Sequence, residues 1–238
     1  MAAGRLIELT RRFAAEAGRL RFGPPAALVY NPLVYAALPH ERYLRRYAGG
    51  RKRAVFLGMN PGPFGMAQTG VPFGDVGMVR DWLRISAPVG RPPSEHPRRP
   101  VEGFACPRGE VSGRRLWGTL AELYAAPAVF FRRFFVANYC PLVFMDAGGR
   151  NVTPDKLARA QRERLYSVCD AYLRASMELL RPELVIGIGR FAAERAASAL
   201  AGTGIAVESV LHPSPASPAA NRDWAGAFRK RLSELGLL

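Results

Sequence analysis

Residues 55–75 read VFLGMNPGPFGMAQTGVPFGD, a short apolar run that breaks directly into a loop of glycine and proline. The run Val55–Met59 has the unalternated apolar character of a strand covered on both faces. From Gly58 to Asp75 the loop carries five glycines and three prolines. Glycine lets a backbone approach a ligand closely, and proline holds the chain stiff, so the loop is built around something or rigidly caps the sheet. It lacks the Gly-Lys-Ser/Thr ending of a Walker loop and the G-x-G-x-x-G spacing of a dinucleotide fingerprint. A nucleotide-triphosphate site is thereby disfavoured. Phe73, between Pro72 and Gly74, offers a flat face on which a base can stack, or a plug for the loop's own core.

Three further apolar runs resemble the first: Phe134–Ala137, Leu184–Ile188 and Ala206–Leu211. Helical patterns separate them at Gly77–Ile85, Arg115–Tyr124, Pro154–Leu180 and Arg190–Ala201. A last helix is predicted to start at Ser217-Pro218, an N-cap followed by proline at the first helical position. It would carry Trp224, Phe228 and Leu232 on one face. Such alternation predicts an α/β fold with a parallel or mostly parallel sheet covered by helices on both sides. The Pro- and Arg-rich stretch from Pro88 to Pro107 is expected to be a surface excursion. Ligands of open α/β sheets sit beyond the carboxyl ends of the strands. There three strands run into a polar residue near a proline: Asn60-Pro61, Asn138-Tyr139-Cys140-Pro141 and His212-Pro213. The fourth ends in Gly187-Ile188-Gly189-Arg190 and offers no comparable group.

The chain's 238 residues suffice for one substantial core and are few for two, so a single domain over residues 1–238 is expected. With 49% hydrophobic and 22% charged residues it reads as a folded protein, not a disordered one. No apolar run approaches the roughly 20 residues of a membrane helix. The opening MAAGRLIELTRRFAAEAGRL carries Glu8 and Glu16 and helical periodicity, which predicts an amphipathic helix rather than a targeting segment. Cys106, Cys140 and Cys169 stand far apart, with no C-x-x-C pair and no zinc or cluster spacing. A cytoplasmic monomer without metal or cofactor is the expectation. The net charge of +15 favours polyanions such as nucleic acid, or reflects an arginine-rich solvated surface.

The run GMNPGPFGMAQTGVPFG with MVRDWL at Met78–Leu83, then Asn138-Tyr139-Cys140-Pro141-Leu142, then His212-Pro213-Ser214-Pro215, resembles the single-strand-selective monofunctional uracil-DNA glycosylases in order and spacing. The resemblance extends from about Val55 to Trp224. It implies a three-layer α/β/α sandwich around a four-stranded, mainly parallel sheet, and single-stranded or duplex DNA containing uracil as substrate. It also implies that Asn60 orients a water toward the sugar C1′ and that His212 donates to uracil O2 as the base departs. Met59 and the segment from Gly62 to Met66 would form the wall around C5, and 5-hydroxymethyluracil would be accepted with uracil.

The residue types suit those roles. Uracil leaves as an anion, so a donor aimed at the developing charge lowers the barrier. The amide of Asn138 matches uracil, accepting from N3–H and donating to O4, and it mismatches cytosine, whose pattern is reversed. No Asp or Glu occupies the strand ends, and Asp75 is the nearest candidate. Of the three lysines, Lys52 sits at the start of the first strand, opposite the site, so a Schiff-base nucleophile is not expected. The segment Pro213-Ser214-Pro215-Ala216-Ser217 reads as a stiff wedge for opening DNA, with Arg222 one turn into the following helix as an added contact. Among the resembling enzymes the residue after HPSP is commonly basic; here it is Ala216. Two rival readings fit less of the pattern: a non-catalytic DNA-damage-binding module, and a glycosylase of the same fold for deaminated purines.

Overall fold

In the computed structural model, which describes residues 2–238, the chain opens with helix α1 (Ala2–Arg19). Leu6, Ile7, Phe13, Ala14 and Ala17 form its buried stripe, as the amphipathic pattern predicts. Strand β1 (Leu28–Tyr30) and helices α2 (Pro32–Tyr35) and α3 (Ala37–Tyr47) follow. Next come β2 (Ala54–Gly58), the short α4 (Met66–Thr69) inside the glycine loop, α5 (Val111–Leu123) and α6 (Pro127–Phe131). The second half contains β3 (Phe134–Asn138), β4 (Val143–Met145), β5 (Asn151–Val152) and α7 (Arg159–Leu180). It ends with β6 (Leu184–Ile188), α8 (Arg190–Ala199), β7 (Ala206–Val210) and α9 (Pro218–Glu234).

The four expected strands pair into one sheet in the order β3-β2-β6-β7, every pairing parallel. The neighbours of β2 lie on opposite sides of it, so its carboxyl end is the point where strand order reverses. That is where an open α/β sheet leaves a crevice. Side chains alternate across the sheet. Phe56 and Phe134 meet Phe130 of α6, and Phe56 also meets Phe228 of α9. On the opposite face Phe135 packs on Tyr43 of α3, at 5.2 Å between centroids, and α8 lies on β6. Helices α1 and α7 pack together outside that face, giving three layers. Phe56 is fully buried, and such burial stabilises the fold by roughly 2–3 kcal/mol.

Several features differ from expectation. A second sheet, antiparallel in the order β1-β4-β5, stands beside the first. The pattern over Gly77–Ile85 yields only a wide turn at Met78–Trp82, closed by Leu83 N–H donating to the Met78 carbonyl at 3.0 Å. It stops because Arg84 adopts φ +54, incompatible with continued helix. Helix α7 starts at Arg159, after a tight 3-10 turn at Pro154–Lys156. Helix α9 begins at Ser217-Pro218 as predicted but breaks at Asp223, whose φ of −162 and ψ of 79 are non-helical. Asp223 Oδ1 then accepts from Gly226 N–H at 2.7 Å, in the manner of a fresh N-cap. The Pro88–Pro107 stretch is partly interior, with Val101, His96 and Cys106 buried.

Candidate active site

Beyond the carboxyl end of β2 lies a cleft of about 510 Å³, within the range of small-ligand sites. Met59, Asn60, Gly62, Met66, Phe73, Asn138, His212, Ser214, Ala216 and Ser217 all line it. The three strand-end residues therefore converge, although 152 positions separate Asn60 from His212 along the chain. Parallel pairing makes this unavoidable: Gly58 sits opposite Asn138, and the loops leave the same sheet edge. Tyr139 and Cys140 N–H continue the ladder by donating to the carbonyls of Gly58 and Met59.

Each polar group that lines the cleft keeps part of its hydrogen-bonding capacity unpaired. Asn60 Nδ2 donates to the carbonyls of Pro61 at 3.2 Å and Leu142 at 3.4 Å. Its Oδ1 is left as an acceptor. Asn138 donates only weakly, to the Met66 sulfur at 3.4 Å, so its amide retains most of its pairing capacity. Burial pulls the His212 imidazole below its ordinary pKa, which keeps it neutral at pH 7. Its ring lies 6.3 Å from that of Phe73 and rests against Gly189. The end of the fourth strand thus contributes packing for His212 rather than a chemical group.

Phe73 is buried yet borders the cleft, so one residue serves both the loop core and the cleft lining. Its backbone sits at φ +52, a conformation side chains rarely adopt. Neighbours hold it there. Trp117 Nε1 donates to the Pro72 carbonyl at 3.2 Å, and Asp75 N–H to that of Phe73 at 2.8 Å. The Phe73 carbonyl also presses on Gly113, where an added Cβ would come within 1.9 Å of its oxygen. Glycine is required at Gly113 for that approach.

Sequence reasoning missed Glu110, Ser112, Asn151 and Thr153, which also line the cleft. Glu110 is the one carboxylate facing it among the described residues, and Asp75 turns to a different surface. Glu110 caps α5, accepting from Ser112 N–H at 3.0 Å and from Gly113 N–H, while burial pushes its pKa up. Its own N–H donates to Asp75 Oδ2 at 2.9 Å, tying the end of the glycine loop to the helix. Of the turn and helix residues expected to contact DNA, Pro213, Pro215 and Arg222 lie outside the cleft lining. Pro213 is buried; Arg222 is exposed at the break before Asp223. Arg115 braces the turn instead, donating to the carbonyl of Pro213 at 3.2 Å and to Asn221 Oδ1 at 2.9 Å.

His40 supports the same loop from behind, with Nδ1–H donating to the Gly70 carbonyl at 2.7 Å. It is fully buried, and burial lowers its pKa to about 4. An unfolded chain binds that proton near the ordinary value of about 6.5, so acidification favours unfolding. Stability is expected to fall by about 3 kcal/mol as pH drops from about 6.5 to about 4, at roughly 1.4 kcal/mol per pKa unit. Urea unfolding of wild type and His40→Gln across that window isolates the contribution. Parallel pH dependences would show that His40 does not titrate this way.

No helix among the described residues is long and apolar enough to cross a membrane, and no group of three His, Cys, Asp or Glu is arranged to hold a metal. A profile of the Uracil DNA glycosylase superfamily matches residues 44–236. Over 234 residues the chain is 54% identical to the single-strand selective monofunctional uracil DNA glycosylase of Mus musculus, covering 98% of this chain and 84% of that protein. The Rattus norvegicus protein of the same description gives the same identity and coverage. Among solved structures, that of wild-type Pedobacter heparinus SMUG2 overlays with a TM-score of 0.68 at 17% identity, covering 96% of this chain and 97% of that one. That overlay bears on the three-layer fold, and the two rodent enzymes on the narrower kinship. The chain belongs to the uracil-DNA glycosylase superfamily and, within it, to the single-strand-selective monofunctional family.

Proposed function

We propose that this protein is a monofunctional DNA glycosylase that hydrolyses the N-glycosidic bond of uracil, and of 5-hydroxymethyluracil, in DNA. The observation that carries this reading is the convergence of Asn60, Asn138, His212 and Phe73 on one cleft at the switch point of the sheet. A flipped base enters between Phe73 and the wall formed by Met59, Gly62 and Met66. Asn138 pairs with its N3–H and O4. As the bond to C1′ lengthens, neutral His212 donates to O2 and stabilises the departing anion. Asn60, oriented by two backbone carbonyls, holds a water through Oδ1 for attack on C1′. The turn from Pro213 to Ser217 fills the space left in the duplex. The protein acts as a single-domain monomer.

Lys52 bears on the monofunctional character. Burial lowers its pKa to about 8, a value suited to a nucleophilic amine. Yet its Nζ donates to the carbonyls of Tyr47, Gly49 and Phe131, just before β2 and therefore at the opposite end of the sheet. The test is release of base from single- and double-stranded oligonucleotides carrying uracil, 5-hydroxymethyluracil, thymine or hypoxanthine. Uracil release is expected to leave an abasic site that breaks only on alkali or heat. An enzyme–DNA adduct trapped by borohydride would overturn the monofunctional assignment, and preferential release of hypoxanthine would overturn the uracil assignment.

A further inference from the structure

Phe64 stands in the glycine loop between Gly62 and Gly65, both of which line the cleft. Two guanidinium groups lie over its ring, Arg99 at 5.2 Å from the centroid and Arg108 at 5.1 Å. Like charges gathered at one ring repel, and a nearby carboxylate normally offsets this. Here neither arginine makes an ion pair among the described residues, nor does the adjacent Arg98. Elsewhere the protein pairs twelve of its arginines with acidic groups.

The cluster rests on a fixed scaffold. Gln68 is buried and spends both ends of its amide on the surrounding loops. Its Nε2 donates to the carbonyls of Pro63 and Pro100, and its Oε1 accepts from Glu102 and Gly103 N–H. Tyr30 OH donates to the Arg99 carbonyl at 2.8 Å. Arg99 Nε donates to the Gly149 carbonyl at 2.8 Å, two residues before Asn151 on the cleft wall. Arg108 stands two residues before Glu110, on the same wall. The Pro- and Arg-rich excursion is thereby bolted to the rim of the cleft.

We infer that Arg99 and Arg108, held on Phe64, form a subsite for the phosphodiester backbone of the strand that carries the flipped nucleotide. This rests on the glycosylase reading above and adds a second contact region, apart from the turn that follows His212. Arg99 spends Nε on the Gly149 carbonyl and Nη1 on that of Arg98, which leaves Nη2 to donate, and the Arg108 side chain makes no hydrogen bond among the described residues. Such guanidinium N–H groups pair well with phosphate oxygens. Because the subsite grips the damaged strand itself, it serves single-stranded and duplex substrates alike. The Pro213–Ser217 turn, by contrast, has a task only where a duplex must be held open.

The experiment compares wild type, Arg99→Gln/Arg108→Gln, Phe64→Leu, and the control pair Arg51→Gln/Arg174→Gln at the other end of the sheet. The double variant and its control remove the same charge. Binding to a single-stranded oligonucleotide without uracil is titrated from low to moderate salt, and uracil release is followed at saturating enzyme. The rim double variant is expected to bind about tenfold more weakly, and its log Kd against log salt slope should fall by about 1.4, two contacts at roughly 0.7 each. Phe64→Leu keeps both charges and should weaken binding less, by loosening them. In the rim double variant the loss is expected in Kd, with the saturated rate of uracil release changing far less than the affinity. A rim variant that binds like the control pair would overturn the subsite while wild-type uracil release left the glycosylase reading intact. Wild type that binds DNA but releases no uracil would overturn that reading, and the binding comparison would still decide the subsite.

Discussion

His212→Ala and Asn60→Ala are each expected to slow single-turnover uracil release by at least about 10²-fold, the scale on which removal of one positioned charge-stabilising donor acts. The two losses have different origins. His212 would act on the leaving base, and Asn60 on the incoming water, so neither residue substitutes for the other. DNA affinity should survive both changes, because phosphate contacts dominate it. The wild-type pH profile separates two forms of the His212 mechanism. Burial holds the imidazole below its ordinary pKa, so a neutral donor gives a rate that is level near pH 7 and changes only once His212 titrates in acid. An imidazolium donor would instead make the rate climb as pH falls from 7. Near-normal rates in both alanine variants would place the chemistry elsewhere in the cleft.

The sheet and the three strand-end residues were legible because parallel strands advertise themselves. Unalternated apolar runs such as Val55–Met59 mark burial on both faces, and the polar residue after each run then falls at one edge by topology alone. The small antiparallel sheet was not legible, since β1 and β4 have three residues each and β5 two. Periodicity needs longer runs to register. Asn151 and Thr153 escaped notice with it. Helix α2 left a clearer trace: Asn31 before Pro32 is an N-cap followed by proline, and Asn31 Oδ1 accepts from Leu33 N–H at 3.2 Å. Glu110 escaped for another reason. The helix pattern was read from Arg115, whereas α5 starts at Val111, so its capping carboxylate fell in the supposed loop. What sequence could not supply at all was burial, which makes Phe73 both loop core and cleft lining and holds the His212 imidazole below its ordinary pKa.

Gly58→Ala is expected to lower uracil release by about 10²-fold while leaving the fold intact, the loss that displacement of positioned groups by about 1 Å can cause. Gly58 is the last residue of β2, directly opposite Asn138. A Cβ there would stand 2.4 Å from Asn138 Oδ1 and 2.6 Å from Cε2 of Phe73. Both contacts lie far below the normal approach of such atoms, so the amide and the ring must move. The nearest atoms are side-chain ends rather than backbone, which lets the strand keep its pairing. The cost therefore falls on the geometry of the cleft and not on the sheet. Gly113→Ala makes the contrast, because its Cβ would meet the Phe73 carbonyl at 1.9 Å and force the backbone of the strained loop to shift. That variant should lose thermal stability as well as rate. Melting curves and single-turnover rates of the two variants separate the cases. If Gly58→Ala melted like wild type and also released uracil at the wild-type rate, Asn138 and Phe73 could not both be in contact with the reacting base.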